Sequence, residues 1–500
     1  MNFKELLHSK KLLLVLILIL AISLRFYNIT NIGVDQWDEG EYIDAGESIL
    51  EGKFQWAGVG LKPLHNAFLA AGLFIFGNYD FAGFAVVAIF GVLTVLLVYY
   101  LGKRFFDVKT GLLAAFILAI TEYHVYFSRT LYSDVLATFF FSATILLYYL
   151  SIKKGGYIYP ILTAILIGLS FMVRINMVVV LFVVMLSEIV FAIKDKAFTN
   201  KKLFKKRLLR FLIIVLISGA IMFSVYSAYS VLAPPGLFDI QFGVNTGNVT
   251  DSGLANTTFY LEQLVILGSP ILLLAFLLGL YSAFESRKDG DIILLIWALS
   301  ILLFFSFYGF KRYRIFLIAL PAVTILAARG LFLVKKKLGK YGKSLFTVLV
   351  IFLAFTSMYA VYDTLTSSAT SYREAAEFVR SDGGQGVIVP QLGIFQYYSD
   401  EKPLPPFLFD NLNNSNSKLL ELYEEGYSHV IIDYRALRYN ELAHEIVNAA
   451  EPMAKFNNLD ALYDPTIIGP IDYQEFDDLR KQEIYQYVYV YRLADIIETI

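Results

Sequence analysis

The residues most able to do chemistry stand in three short runs. The first is W-D-E-G-E-Y from Trp37 to Tyr42, in a stretch where Asp35, Asp38, Glu39, Glu41 and Asp44 crowd together with no cation before Lys53. Carboxylates this dense raise one another's proton affinity, which suits one of them to take a proton from a reacting hydroxyl or to hold a cation. These residues also have a plainer reading, because Asp38 followed three places later by Glu41 matches the box that caps a helix start. The second run, E-Y-H-V-Y-F-S-R-T-L-Y-S-D from Glu122 to Asp134, ends on a carboxylate that opens an apolar helix. A charge entering apolar surroundings is costly and marks a functional position, with an Arg129 pair that ties the turn as the structural alternative. His124 reads as an interfacial polar residue, and Arg174 with Asn176 as a helix terminator. The third run, Y-G-F-K-R-Y-R from Tyr308 to Arg314, gathers three cations. Guanidinium groups make paired hydrogen bonds to phosphate oxygens, and attraction to lipid headgroups is the simpler alternative.

Composition sets the elements that must position these runs. Of 500 residues, 57% are hydrophobic and only 17% charged, with 43 Phe and 34 Tyr and a mean hydropathy of +0.60. One water-soluble domain cannot bury that much apolar side chain, so most of the chain must lie in lipid. The absence of Cys excludes a disulfide framework, a thiolate zinc site and a cysteine nucleophile, and five His leave little imidazole metal chemistry. Apolar stretches of crossing length or near it run over Leu12–Phe26, Phe81–Leu101, Leu112–Tyr126, Leu131–Leu150, Ile161–Val173, Met177–Ile193, Phe211–Leu232, Leu264–Phe284, Ile292–Phe310, Ile315–Ala328 and Leu345–Tyr362. They predict a multi-pass α-helical membrane protein with about 11 transmembrane helices.

Short loops rich in Lys and Arg stay on the cytoplasmic side. Lys10 and Lys11, Lys103 and Arg104, Lys153 and Lys154, the run Lys201 to Arg207, and Lys335 to Lys337 therefore read as inner, while the loops 28–80 and 234–262 carry only Lys53 and Lys62. This predicts a cytoplasmic N-terminus on an uncleaved signal anchor. It also places the sequons at Asn248 and Asn256 outside, together with all three chemical runs. Residues 1–365 form the expected membrane domain with a structured first outer loop, 28–80. From about Ser367 the chain turns acidic: about 22 of its 43 acidic residues fall after Asp363. The runs GVIVP at Gly386, HVIID at His429 and YVYVY at Tyr487 read as strands. Helical patterns lie at Arg373–Arg380, Lys418–Glu425 and Ala436–Asn448, so 366–500 is expected to be an extracellular α/β domain.

The acidic pair Asp38 and Glu39, the K-P-L of Lys62 to Leu64, F-G at Phe76, S-R-T-L-Y-S-D ending at Asp134 and K-R-Y-R-I-F-L-I-A-L-P-A from Lys311 occur in this order over roughly Leu12 to Leu331. In that order they resemble the GT-C superfamily of membrane glycosyltransferases. The resemblance is to the branch of dolichyl-phosphate-mannose protein mannosyltransferases and lipid A aminoarabinose transferases. It implies a GT-C fold and an inverting glycosyltransferase that uses a polyprenyl phosphate donor, dolichyl or undecaprenyl, and a lipid, glycan or protein hydroxyl as acceptor. By the same resemblance Asp38 is the catalytic carboxylate with Glu39 in support. Tyr42, Lys62, Arg312 and Arg314 hold the donor phosphate, and Asp134 shapes the sugar or acceptor site; Arg129, in the same run as Asp134, is a further candidate for substrate binding. The aminoarabinose branch has an acidic metal ligand before K-P where this chain has Leu61, and an arginine where it has Glu41. A divalent metal is thus left open, and no metal-ligating residue is assigned. An oligosaccharide transferase of the same superfamily and a lipid-linked sugar transporter or flippase are the alternatives. No nucleic-acid partner is expected, and the expected setting is a prokaryotic cell membrane.

Overall fold

The computed structural model describes residues 10–34, 37–53, 62–77, 80–232, 269–306, 313–366, 370–391, 394–395, 398, 406–412, 415–458 and 481–500. In chain order the helices of its apolar part are α1 (Lys10–Phe26), α2 (Trp37–Leu50), α3 (Pro63–Phe76), α4 (Asp80–Phe105), α5 (Val108–Ile120), α6 (Glu122–Phe127) and α7 (Asp134–Lys154). Then come α8 (Ile158–Val173), α9 (Val179–Lys194), α10 (Lys201–Leu232), α11 (Pro270–Ser286), α12 (Asp289–Ser306), α13 (Leu320–Lys337) and α14 (Gly339–Thr366). A 3-10 segment, Tyr313–Ala319, precedes α13. Among the described residues eight helices are long and apolar enough to cross a bilayer, and four apolar helices are shorter. The chain is a multi-pass membrane protein. Every apolar stretch read from the sequence overlaps a helix. The stretch 112–126 divides into α5 and the short α6, and α3 lies within the segment expected to be an outer loop.

The chain divides into two compact units. The first comprises Met1–Tyr27, Phe54–Phe68 and Phe84–Thr366; the second comprises Asn28–Lys53, Leu69–Gly83 and Ser367–Ile500. Small residues set the close approaches within the first. A Cβ at Gly279 of α11 would stand 2.0 Å from the Leu326 carbonyl oxygen of α13, and one at Gly330 would stand 2.0 Å from that of Ala275. Only backbones without side chains cross at that distance, which is how helices pack where lipid removes the hydrophobic driving force.

The second unit carries α15 (Ser371–Ser381), β1 (Val387–Val389), β2 (Pro406–Leu408), α16 (Asn416–Glu424), β3 (His429–Ile432), α17 (Tyr434–Tyr439), α18 (Glu441–Ala449), β4 (Ala454–Asn457), β5 (Tyr487–Arg492) and α19 (Leu493–Thr499). The sheet order is β2-β1-β3-β5-β4. β1 pairs parallel with β2 and β3, whereas β5 runs antiparallel to β3 and β4. The three apolar runs of the sequence are the fully buried β1 and β3 and the largely buried β5. Its helical run 436–448 is two helices, broken at Asn440, whose side chain accepts from Leu442 N and starts α18.

Candidate active site

Asp134 is placed by α7, whose 21 residues start on that carboxylate and finish with Lys153 and Lys154 in the last turn. At 1.5 Å per residue the acid and the bases stand about 30 Å apart. Asp134 is 3% exposed, and its Oδ1 accepts from the Arg174 guanidinium. Arg174 turns extended where α8 ends and is itself buried. Its role is thus wider than ending a helix. The second oxygen of Asp134, Oδ2, makes no hydrogen bond among the described residues. Two residues earlier, the Tyr132 ring lies 4.2 Å from the Arg314 guanidinium, a cation–π distance. Arg314 is buried in the 3-10 segment. Trp297 Nε1 pins that segment by donating to Ile318 O at 2.9 Å, and Trp297 in turn stacks on Phe141 of α7.

Close by, His65 Nε2 donates to Leu131 O at 2.9 Å, and Lys62 and Arg174 are near enough to act electrostatically on the His65 ring. His65, Asp134, Arg174 and Arg314 are thus tied within the first unit to Leu131, Tyr132 and Asp134, and Lys62 lies near the His65 ring. The low-dielectric setting strengthens the pull of these cations on an anion.

Arg129, the partner that the sequence offered Asp134 for tying the turn, does not take it. Its Nη1 donates to Tyr27 O at 2.5 Å and to Arg25 O at 3.4 Å. Beside it Arg25 is wholly buried: Nη2 meets His124 Nδ1 at 2.7 Å, Nη1 reaches Ala21 O and Ala119 O at 3.2 Å, and Nε reaches Ser128 Oγ at 3.3 Å. His124 is fully buried against Arg25. Sequence reasoning missed the partnerships of Arg25 and Arg174. The available signal was an arginine within or directly after an apolar run, which must find oxygen or nitrogen partners indoors.

In the second unit α2 begins at Trp37, so Asp38 and Glu39 lie inside its first turn and Asp38 is not at the capping position. Their charge there faces the positive end of the helix dipole. Glu39 is 3% exposed and Tyr42 wholly buried. One turn further, Gly46 lies against Leu69, Ala70 and Leu73, where a Cβ would meet atoms at 3.2 to 3.3 Å. The chain just before α2 is fastened by Val34 N, which donates to Tyr398 Oη at 2.6 Å. Within this unit, then, one hydrogen bond ties the entry to the acidic helix to a tyrosine of the α/β part.

His429 Nε2 meets Asp382 Oδ2 at 3.2 Å, and Arg492 Nη2 reaches the same oxygen at 3.0 Å. These three join α15, β3 and β5 and serve structure. Asp35, Leu61, Lys311, Arg312, Asn248 and Asn256 lie outside the described residues. Among the described residues no group of three His, Asp or Glu side chains gathers as a metal site.

Residues 62–226 match the family model for dolichyl-phosphate-mannose-protein mannosyltransferase. A Bacillus subtilis protein named "Putative mannosyltransferase YkcB" is 30% identical over 173 residues, 33% of this chain. The chain spans 24% of that relative's length. ArnT from Cupriavidus metallidurans in the apo state superposes with a TM-score of 0.63 at 15% identity, covering 97% of this chain and 98% of that one. The same protein bound to undecaprenyl phosphate gives 0.62 at 14% identity over 96% and 97%. Archaeoglobus fulgidus AglB, in complex with an inhibitory peptide and a dolichol-phosphate, gives 0.57 at 13% identity over 87% and 70%. With its backbone matched along nearly the whole length, the chain has the fold of the GT-C membrane glycosyltransferases.

Proposed function

We propose that this protein is an inverting glycosyltransferase that moves a sugar from a polyprenyl phosphate to an acceptor hydroxyl at the outer face of a cell membrane. The observation that carries this reading is the agreement over 97% of the chain with a fold whose ArnT member is seen with undecaprenyl phosphate. The mannosyltransferase family match over residues 62–226 supports it.

In the reaction the acceptor oxygen forms its bond to the anomeric carbon while the bond from that carbon to the phosphate oxygen breaks. The electron pair leaves with the phosphate and the acceptor proton passes to Asp38, with Glu39 in support. A single displacement of this kind inverts the sugar carbon, and a phosphate leaving group requires no general acid. Lys62, Arg312 and Arg314, with Tyr42, would meet the charge that grows on the phosphate. Asp134, whose buried Oδ2 accepts no hydrogen bond among the described residues, would shape the sugar or acceptor site. General-base help contributes about 10² to 10⁴-fold. The larger share then falls to orientation and to cations placed before the charge develops. The acceptor is a lipid, glycan or protein hydroxyl. The cytoplasmic N-terminus and the outer placement of residues 366–500 belong to the same reading, on the distribution of Lys and Arg.

Asp38→Asn should lower transfer from a labelled undecaprenyl-phosphate or dolichyl-phosphate sugar by about 10² or more while the protein stays inserted and folded. Near-normal transfer would remove Asp38 from the mechanism. The likeness to AglB favours a second reading, transfer of a lipid-linked oligosaccharide. Supplying that donor in place of the monosaccharide lipid separates the two.

A further inference from the structure

At the other end of α7, about 30 Å from Asp134 by helix rise, the first unit holds a cleft of about 400 Å³ lined by Gly155, Gly156, Tyr157, Lys202, Lys205 and Lys206. Arg210, also on its wall, is already neutralised: Nε and Nη2 reach the two oxygens of Glu188 at 2.7 and 2.8 Å. Arg207 pairs with Asp195 and Glu188. No ion pair among the described residues joins Lys202, Lys205 or Lys206 to a carboxylate. Three uncompensated ammonium groups therefore line one concavity. Its floor is open because the chain turns there through Gly155 and Gly156, at φ 71° and 75°, and a Cβ at Gly156 would meet nothing within 4 Å.

We propose that this cleft binds the phosphate headgroup of an anionic membrane phospholipid. The lysines share α10 with Phe204, Leu208 and Leu209, all exposed apolar side chains, and the exposed Tyr157 stands at the rim. Ammonium groups next to exposed apolar surface and an aromatic ring suit a headgroup whose acyl chains run along the same helix. A free phosphate would leave that apolar surface unused. The site is separate from the one assigned to the sugar donor and does not rest on that assignment.

The test uses the full-length protein in detergent, with bound lipid counted by native mass spectrometry during titration with phosphatidylglycerol or phosphatidylcholine. Wild type should retain phosphatidylglycerol in preference. The triple variant Lys202→Gln, Lys205→Gln, Lys206→Gln should bind it about tenfold more weakly or worse, given several-fold attraction per basic residue at an anionic surface. The corresponding triple arginine variant should hold it, and Lys206→Gln alone should lose only a few-fold. Equal retention by wild type and the triple glutamine variant would overturn the proposal. So would displacement of the lipid by millimolar inorganic phosphate, since the site would then read the anion and not the lipid.

Discussion

At Asp134 the energetics are those of a buried pair, in which each member is tolerated because the other is present. Exchanging both charges for apolar groups is often close to neutral, whereas removing one strands its partner at a cost of about 3 to 5 kcal/mol. Arg174→Met leaves the Asp134 carboxylate indoors without its cation and should lower the thermal midpoint in detergent markedly. Adding Asp134→Asn to that variant should recover a large part of the loss. A double variant no more stable than Arg174→Met would show that the pair is not the source. Arg314 is placed by the Trp297 bond to Ile318 O and by the Tyr132 ring. Arg314→Ala should raise the KM for the polyprenyl-phosphate donor by about tenfold or more, the order of one charge-assisted hydrogen bond, and leave that for the acceptor near its value. Equal effects on both substrates would count against a phosphate role. Asp134 was legible in the sequence because a carboxylate opening an apolar run stands out. Its partner was not, because Arg174 lies forty residues away and only packing brings the two together. Arg129 was the nearer candidate in sequence and proved to be spent on the carbonyls of Arg25 and Tyr27.

Element positions in the membrane part follow from apolar length, and the sequence carried them well; how tightly helices cross was not legible. Gly279 and Gly330 look like any glycines in apolar helices, yet a Cβ on either would stand 2.0 Å from backbone of the other helix. Gly330→Leu should therefore part α11 from α13, seen as loss of the monodisperse detergent-solubilised form, whereas Gly219→Ala, with nothing within 4 Å, should be silent. In the α/β part the buried central strands were readable as unbroken apolar runs. β2 has only three residues, and β4 has half-buried and exposed positions in alternation at the sheet edge, so neither gave a strong pattern. The junction of α15, β3 and β5 carries a pH dependence. Burial lowers the proton affinity of His429, outweighing the raising effect of Asp382. The Arg492 hydrogen bond, helped by His429, holds Asp382 below the usual carboxylate range. Both groups bind fewer protons folded than unfolded. The His429 contribution is full above about pH 6.5 and is lost as pH falls through its lower folded value; the Asp382 contribution is lost further down, below about pH 4. Denaturant unfolding of the full-length protein should show stability declining as pH drops below about 6.5. His429→Gln should flatten that slope, and an unchanged slope would assign the dependence elsewhere.

On the scale of the molecule, the charges of the first unit are sorted by helix end. Asp289 at the start of α12 receives Lys153 from the end of α7 at 2.6 Å and Lys194 from the end of α9 at 2.7 Å. Gly290 lies against Phe105 at the end of α4, and the Arg329 guanidinium lies 4.1 Å from the Phe106 ring. The ends of α4, α7 and α9 thus meet at the start of α12 on one side of the unit, with the Asp134 to Arg174 pair at the far end of α7. Moving such a clustered basic surface across a bilayer is costly, so this side should stay in the cytoplasm. The chain has no cysteine, which makes every introduced thiol a clean reporter. Tyr157→Cys before α8 and Tyr341→Cys in the first turns of α14 replace side chains 61% and 68% exposed, and Tyr27→Cys just after α1 replaces one 57% exposed. In intact cells a membrane-impermeant maleimide should label Tyr27→Cys, while Tyr157→Cys and Tyr341→Cys should react only after permeabilisation. Labelling of all three from the same compartment would overturn the orientation. It would also remove the outer face as the place of sugar transfer, because Arg129 donates to the carbonyl of Tyr27 itself and stands only five residues before Asp134.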